Sequence, residues 1–362
     1  MTTRIPVAVL GATGLVGQEF VRRLEEHPWF ELVAVGASER STGRPYGDAL
    51  RHRSCDPRPV TCDLTISPCT PDAIDAPIVF SALDGAVAGP IGEAFARAGA
   101  FVVSNARNHR LDDDVPLLIP EVNADHLELI ERQRAVRGWS GAIVTNPNCA
   151  TAVICLALAP LHQAFGLREV WVTTLQAVSG AGYPGVPSLD ILGNVVPWID
   201  GEEEKIVRES RKILGGRAHP GEFGVSAQVT RVPVEHGHTA CIAARFARRV
   251  TTVEATSALR EWRSAVADLG LPSAPTTPLR VRAEQDRPQP RRDVDRGDGM
   301  TVSVGRVRED GNGGIRLVAL GHNLVRGAAG AALLNAELCV SALPALAGPA
   351  KIPASEERWP SG

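Results

Sequence analysis

Residues 7–17 read Val7-Ala8-Val9-Leu10-Gly11-Ala12-Thr13-Gly14-Leu15-Val16-Gly17. The apolar run Val7–Leu10 predicts a buried strand, Gly11–Gly17 a tight turn, and Gln18–Glu26 a helix. A turn of this kind lets backbone approach a pyrophosphate closely. The helix behind it offers free N–H groups and the positive end of its dipole. Gly11, Thr13, Gly14, Leu15, Val16 and Gly17 are therefore the candidate phosphate-binding residues, the alternative being a tight turn that holds no ligand. Strands are expected next at Glu31–Val35, Ile78–Ser81 and Phe101–Ser104, with a helix over Ile91–Ala98. Alternating strands and helices imply a parallel sheet with right-handed crossovers.

The second strand ends near Gly36, where a dinucleotide fold meets the adenine ribose. Ser38, Arg40 and Ser41 could hold a 2′-phosphate, because arginine offers a planar donor fork. Glu39 favours a free 2′-hydroxyl instead. The expected cofactor is NADP, with NAD the open alternative.

The pattern changes after Asn148. A helix is expected over Ala150–Gln163, then strand-like runs at Val170–Ala177, Gln228–Val234, Thr239–Phe246 and Met300–Arg308. Thr252–Leu269 reads as a helix, Pro272–Pro290 as a loop or ordered excursion, and Asn323–Ser341 as one long helix. With 362 residues the chain is long enough for two domains at roughly 100–200 residues each. A hydrophobic fraction of 44% excludes intrinsic disorder, and a net charge of −3 supplies no field for nucleic acid or an anionic membrane.

No apolar run is long enough to span a bilayer, which takes about 20 residues. The seven cysteines include evenly spaced Cys55, Cys62 and Cys69, but no C-x-x-C pair, so no metal site is expected. Asp112-Asp113-Asp114 reads as a loop ahead of Pro116, without the further ligands a metal needs. The expected location is cytoplasmic, with reduced thiols. Only Lys205, Lys212 and Lys351 are lysines, in a chain otherwise rich in arginine.

Thr145-Asn146-Pro147-Asn148-Cys149-Ala150-Thr151 leads into the helix that opens the second domain. A thiolate at a helix N-terminus is favoured by the dipole and free N–H groups, and the same donors can receive an oxyanion. Asn146 and Asn148 add side-chain amides. Cys155, on the same helix, reads as a buried structural thiol.

Asn146–Thr151 and Gln176-Ala177-Val178-Ser179-Gly180-Ala181-Gly182 strongly resemble the aspartate-β-semialdehyde dehydrogenase family. Val102–Asn123, Gly201–Leu214, Arg287–Arg306 and Asn323–Gly330 are similar to its archaeal and fungal branch. The resemblance runs through nearly the whole chain in order. It implies an α/β fold: a Rossmann-like dinucleotide-binding domain over 1–148, completed by a C-terminal helix over 322–345. An α+β catalytic and dimerisation domain over 149–321, like that of glyceraldehyde-3-phosphate dehydrogenase, completes it. It also implies reduction of an acyl phosphate, L-aspartyl-4-phosphate, to the semialdehyde in lysine, threonine and methionine biosynthesis. The implied assembly is a homodimer or homotetramer.

Roles carry over by position. Cys149 is implied as nucleophile, His238 as acid/base, and Gln176 as the residue that positions the thioester carbonyl or the substrate; Asn148 stands with them. His236 is the chemical rival of His238. Arg231, seven residues before His238, is implied to hold the substrate carboxylate, Glu203 its ammonium, and Arg110 and Lys205 the phosphate. Asn323 is implied at the nicotinamide end of the cofactor; Ser179 and Gly180 are counted with the cofactor-binding residues, Ser179 being either a contact or a turn residue and Gly180 allowing the backbone to fold tightly. Glu202 and Glu204 are accounted for by the helix dipole alone, and Arg107 by the surface. His322 stands where the family has an acid, and Asp84 lies in a segment that departs from the family pattern, expected in a solvated loop. The alternatives are a paralogous reductase of an acyl-CoA such as malonyl-CoA, or of N-acetylglutamyl phosphate, and a non-catalytic dinucleotide-binding redox sensor.

Overall fold

The computed structural model describes residues 4–52, 58–217, 219–343 and 346. Cys55, Lys351 and the last two residues of the expected 322–345 helix lie outside them.

Two six-stranded sheets organise the chain. The first has the order β3-β2-β1-β4-β5-β6, with β1 Ile5–Leu10, β2 Phe30–Gly36, β3 Ile66–Ser67, β4 Ile78–Ser81, β5 Phe101–Ser104 and β6 Ala142–Thr145. Every pairing in it is parallel. This is the doubly wound order in which a ligand crosses the carboxyl ends of the strands where the order reverses. The strands β4, β5 and β6 are buried along their whole length, as strands covered on both faces must be.

The second sheet has the order β10-β11-β12-β9-β7-β8. Its strands are β7 Leu167–Gln176, β8 Gly224–Arg231, β9 His238–Phe246, β10 Leu279–Val281, β11 Val302–Glu309 and β12 Ile315–Gly321. It is mixed: β7–β8 and β10–β11 are parallel, and the other neighbours antiparallel. The helix Cys149–Phe165 packs on one face of this sheet. It is buried without interruption from Ala150 to Leu161, so it is apolar all round. The other face leaves Trp171 and Leu175 of β7 exposed, with Leu192 and Trp198 of the next segment.

Several boundaries differ from the sequence expectation. The helix expected at Ile91 starts at Gly85 and contains Pro90, because Asp84 is its N-cap and accepts from the Ala86 N–H at 2.8 Å. Asp84 is thus a capping residue, not a free loop acid. The Gly-rich turn is shorter than expected, since the first helix begins at Leu15. The helix from Thr252 ends at Glu261 rather than Leu269. The Pro-rich excursion contains β10. The tail is not one helix: a π-helical turn at Val325–Ala329 precedes the α-helix Gly330–Ala342. That helix buries Ala332, Leu333, Ala336 and Val340 in one core with Val7, Phe20, Phe80 and Val103 of the first sheet's layer.

Candidate active site

The Gly-rich turn and the start of the Cys149 helix face one another across a cavity of about 920 Å³. Gly14, Leu15 and Val16 line one wall; Arg110, Asn148, Cys149, Gln176, Ser179, Gly180, Lys205, Arg231 and Asn323 line the rest. Gly11 takes a left-handed φ of 74°, as its place in the turn requires. Gly17 is packed behind it, within the helix. Gly14 caps the first helix without a side-chain bond, and no acid occupies the first turn. The end of this helix therefore presents backbone donors and no competing anion, a fit for a pyrophosphate. Thr13 lies in the same turn, where its carbonyl accepts from Gln18 Nε2 at 3.1 Å. Ser38 and Arg40 are exposed and Ser41 half-buried in a turn just beyond β2. They border solvent and do not line the cavity.

Asn148 caps the Cys149 helix. Its Oδ1 accepts from the N–H groups of Ala150 and Thr151 at 3.0 and 3.1 Å. Two of the N–H donors expected to receive an oxyanion are therefore already engaged. Asn148 Nδ2 donates to Glu202 Oε1 at 2.7 Å. Gln176, at the end of β7, is buried and reaches the same carboxylate at 3.3 Å. The thiol of Cys149 is partly open to the cavity. Burial pushes it up to about 12, reinforced by the Glu202 carboxylate, while Arg231, Arg110 and the Ala150 N–H act in the opposite direction. The helix end was expected to lower this thiol; desolvation outweighs it.

His238 begins β9, and its Nε2 lies 3.1 Å from Cys149 Sγ. The Ala177 N–H donates to its Nδ1 at 3.2 Å, which assigns the ring proton to Nε2, facing the sulfur. Burial, then the Arg231 guanidinium and the repulsion that a protonated His322 would add, lower this imidazole to about 3, so the ring is neutral. His236 is directed elsewhere. It contacts Ser179 Oγ at 3.0 Å and stacks on His322 at 5.1 Å. Asn323 links the same group: its Nδ2 donates to Ser179 Oγ and its Oδ1 accepts from the Gly237 N–H, both at 2.9 Å.

Arg231 ends β8, 7% exposed. Its Nη1 donates to the Ala177 carbonyl at 2.7 Å, and it has no ion pair among the described residues. A nearly buried guanidinium without a counter-ion is a receptor for an anion. Gly180 is required beside it: a Cβ there would lie 2.8 Å from Arg231 Nη1 and 3.1 Å from His238 Nε2.

The helix Glu202–Ile213 supplies the opposite wall. Lys205 faces the cavity, 3.2 Å from Glu202. Glu203 does not reach it. Its Oε1 accepts from the Val229 N–H at 3.2 Å, while Glu202 lines the cavity and accepts from Asn148 Nδ2. Glu202, Lys205 and Glu209 repeat at helical spacing along one face, and that spacing was the available signal for Glu202 and Glu209. Arg107 is exposed, on the cavity rim. Of the acidic run, Asp112 and Asp114 pair with Arg137 at 2.7 and 2.5 Å. Among the described residues no group of three potential ligands could hold a metal, and no helix is long and apolar enough to cross a membrane.

Comparison with known proteins agrees with this geometry. The family model for the semialdehyde dehydrogenase NAD binding domain matches residues 6–130, and that for the semialdehyde dehydrogenase dimerisation domain matches 158–326. An aspartate-semialdehyde dehydrogenase of Archaeoglobus fulgidus is 50% identical, over 93% of this chain and 98% of its own. That of Trichophyton rubrum is 47% identical, over 92% and 96%. Among solved structures, the Candida albicans aspartate semialdehyde dehydrogenase with NADP superposes with a TM-score of 0.85 at 43% identity, covering 92% of this chain and 98% of that one. Aspartate semialdehyde dehydrogenase II of Vibrio cholerae gives 0.75 at 28% identity, covering 93% and 99%. With two matched domains in order, and relatives alike from end to end, the chain belongs to the aspartate-semialdehyde dehydrogenase family.

Proposed function

We propose that this chain catalyses the NADPH-dependent conversion of L-aspartyl-4-phosphate and a proton to aspartate 4-semialdehyde and phosphate, through a thioester on Cys149. The observation that carries this reading is the contact between Cys149 Sγ and His238 Nε2, beside an unpaired Arg231 and opposite the free end of the first helix. Arg231 holds the substrate carboxylate bidentately. Glu202, rather than Glu203, receives the ammonium. Cys149 Sγ attacks the acyl carbon, the carbon–oxygen bond to phosphate breaks, and phosphate leaves toward Arg110 and Lys205, taking the thiol proton. A thioester accepts hydride better than a carboxylate does, which is the reason for the covalent step.

Gly11, Thr13, Gly14, Leu15, Val16 and Gly17 would hold the cofactor pyrophosphate. Ser38, Arg40 and Ser41 would hold a 2′-phosphate, and Ser179, Gly180 and Asn323 the nicotinamide end. NADPH, when bound, supplies the hydride. As the carbon–sulfur bond of the reduced adduct breaks and its oxygen re-forms the carbonyl, sulfur departs as a thiolate held by a hydrogen bond from His238 Nε2–H, and it takes from solvent the proton that the overall reaction consumes. Gln176 and Asn148 hold Glu202 and the acyl group in register. Residues 1–148 with the tail helix act as the cofactor domain and 149–321 as the catalytic domain. The uncovered face bearing Trp171 and Leu175 meets a second copy of the chain.

None of the relatives reported above is named as an acyl-CoA reductase, an N-acetylglutamyl phosphate reductase or a redox sensor. The test is reduction of NADP with aspartate semialdehyde and phosphate, repeated with NAD, and with CoA in place of phosphate. Cys149→Ser should bind the cofactor and lose nearly all turnover. Full activity in that variant overturns the assignment.

A further inference from the structure

Glu209 has no part in the roles assigned above. It lies two turns beyond Glu202 on the same helix, 2% exposed. Its Oε1 accepts from Arg110 Nη1 at 2.8 Å, and its Oε2 accepts from the Asn148 N–H at 2.6 Å. One buried carboxylate thus joins the guanidinium on the cavity wall to the peptide that starts the Cys149 helix. Arg110 Nη2 donates to the Asn105 carbonyl at 2.6 Å, and Nε is buried without a partner. One turn further on, Lys212 Nζ donates to the carbonyls of Arg110, Asp112 and Val115 at 2.9, 2.7 and 2.8 Å. The helix therefore holds the Arg110 segment twice, by its side chain and by its backbone.

We propose that Glu209 is a positioning residue that aims Arg110 at the phosphate, and that Lys212 fixes the loop that carries it. This rests on phosphate being the second substrate, as proposed above. An arginine tied through both terminal nitrogens gives up its rotamer freedom before phosphate arrives, so less is lost on binding. The carboxylate also compensates the guanidinium's buried charge, so the phosphate site is oriented without being a deep trap for the anion.

The oxidative direction separates two steps. Without phosphate, semialdehyde and NADP give a burst of NADPH, at most one per site, as the thioester forms. With phosphate, steady turnover reports its displacement. Glu209→Gln is expected to keep the burst amplitude within about twofold and to raise KM for phosphate about tenfold or more. Lys212→Met is expected to raise the same KM about threefold. Adding Glu209→Gln to Arg110→Gln should raise it no further, because the carboxylate acts through the guanidinium. An unchanged KM in Glu209→Gln overturns the proposal, and so do effects of Glu209→Gln and Arg110→Gln that multiply. If Glu209→Gln does not fold, Glu209→Asp keeps the charge and withdraws it by one methylene. It should show the same KM shift, and an unchanged KM again overturns the role. A wild-type enzyme whose turnover does not depend on phosphate removes the underlying reading, and the proposal with it. A phosphate-dependent wild type with an unaffected variant removes only the role of Glu209.

Discussion

The imidazole of His238 faces the thiol of Cys149 with Nε2 3.1 Å from Sγ, while its Nδ1 accepts from the Ala177 backbone at 3.2 Å. A backbone donor on one nitrogen leaves the proton on the other, so the ring meets the sulfur as a donor. For the ring to take the thiol proton, the Ala177 contact would have to lengthen. The free enzyme therefore holds a neutral pair, and neither partner is charged at neutral pH.

The first prediction concerns that pair. With Cys149 pushed up to about 12 by burial and Glu202, its thiolate fraction grows with pH across the whole neutral and moderately basic range. Alkylation of Cys149 by iodoacetamide in the free enzyme should accelerate roughly tenfold per pH unit between about pH 7 and 10. The label is followed by mass spectrometry of the Cys149 peptide. A plateau near pH 8 would show that the helix end, and not desolvation, governs the thiol.

A second prediction concerns the π-helical turn Val325–Ala329, which lays Gly327 directly on Cys149. A Cβ at 327 would stand 2.5 Å from Cys149 Cβ. Gly327→Ala must push Cys149 or the turn aside, at a cost of about 1–3 kcal/mol. Turnover should fall by more than the lost stability explains, since the displaced Cβ carries the sulfur proposed as the nucleophile. Denaturant unfolding beside steady-state rates compares the two, and a stable variant with wild-type turnover would contradict the packing.

Arg326, in the same turn, donates from both terminal nitrogens to Glu121 at 2.7 and 2.6 Å, and both residues are almost wholly buried. Breaking the pair from one side leaves an uncompensated buried charge. Glu121→Gln or Arg326→Met should each cost about 3–5 kcal/mol. An apolar double replacement of similar volume should recover most of that loss. The pair's place beside Gly327 adds a second reading: the double variant should be stable yet slow, if the pair sets where the turn sits. Chemical denaturation and kcat measured together decide this.

How much was legible from sequence varies by residue. Cys149, Gln176, Arg231, Lys205, Arg110 and Asn323 were named in advance, and all of them line the cavity. Cys149 stood out by its place at a helix start, and the others by the family resemblance that their short segments carry. That Glu202 and not Glu203 lines the cavity was not legible, because three consecutive glutamates open their helix. Neighbours on a helix point about 100° apart, and only docking against the Asn148 side chain selects one of them. Glu209 was missed because its partner Arg110 lies 99 residues away in sequence. Asp84 and the tail were misread for a related reason. A cap that starts a helix ahead of Pro90, and a π turn seating Gly327 on a thiol, are fixed by contacts that composition does not encode.

The parallel first layer, the glycine-rich turn and the thiol at a helix start were readable from the order of residues alone, whereas the choice of His238 over His236 came from the family resemblance. Hydrophobic period, glycine spacing and residue chemistry are properties of neighbours along the chain. The tertiary structure alone decided which carboxylate enters the cavity, which nitrogen of His238 bears its proton, and that the Cys149 thiol is held protonated. Those depend on how completely water is removed and on which groups from distant segments take its place.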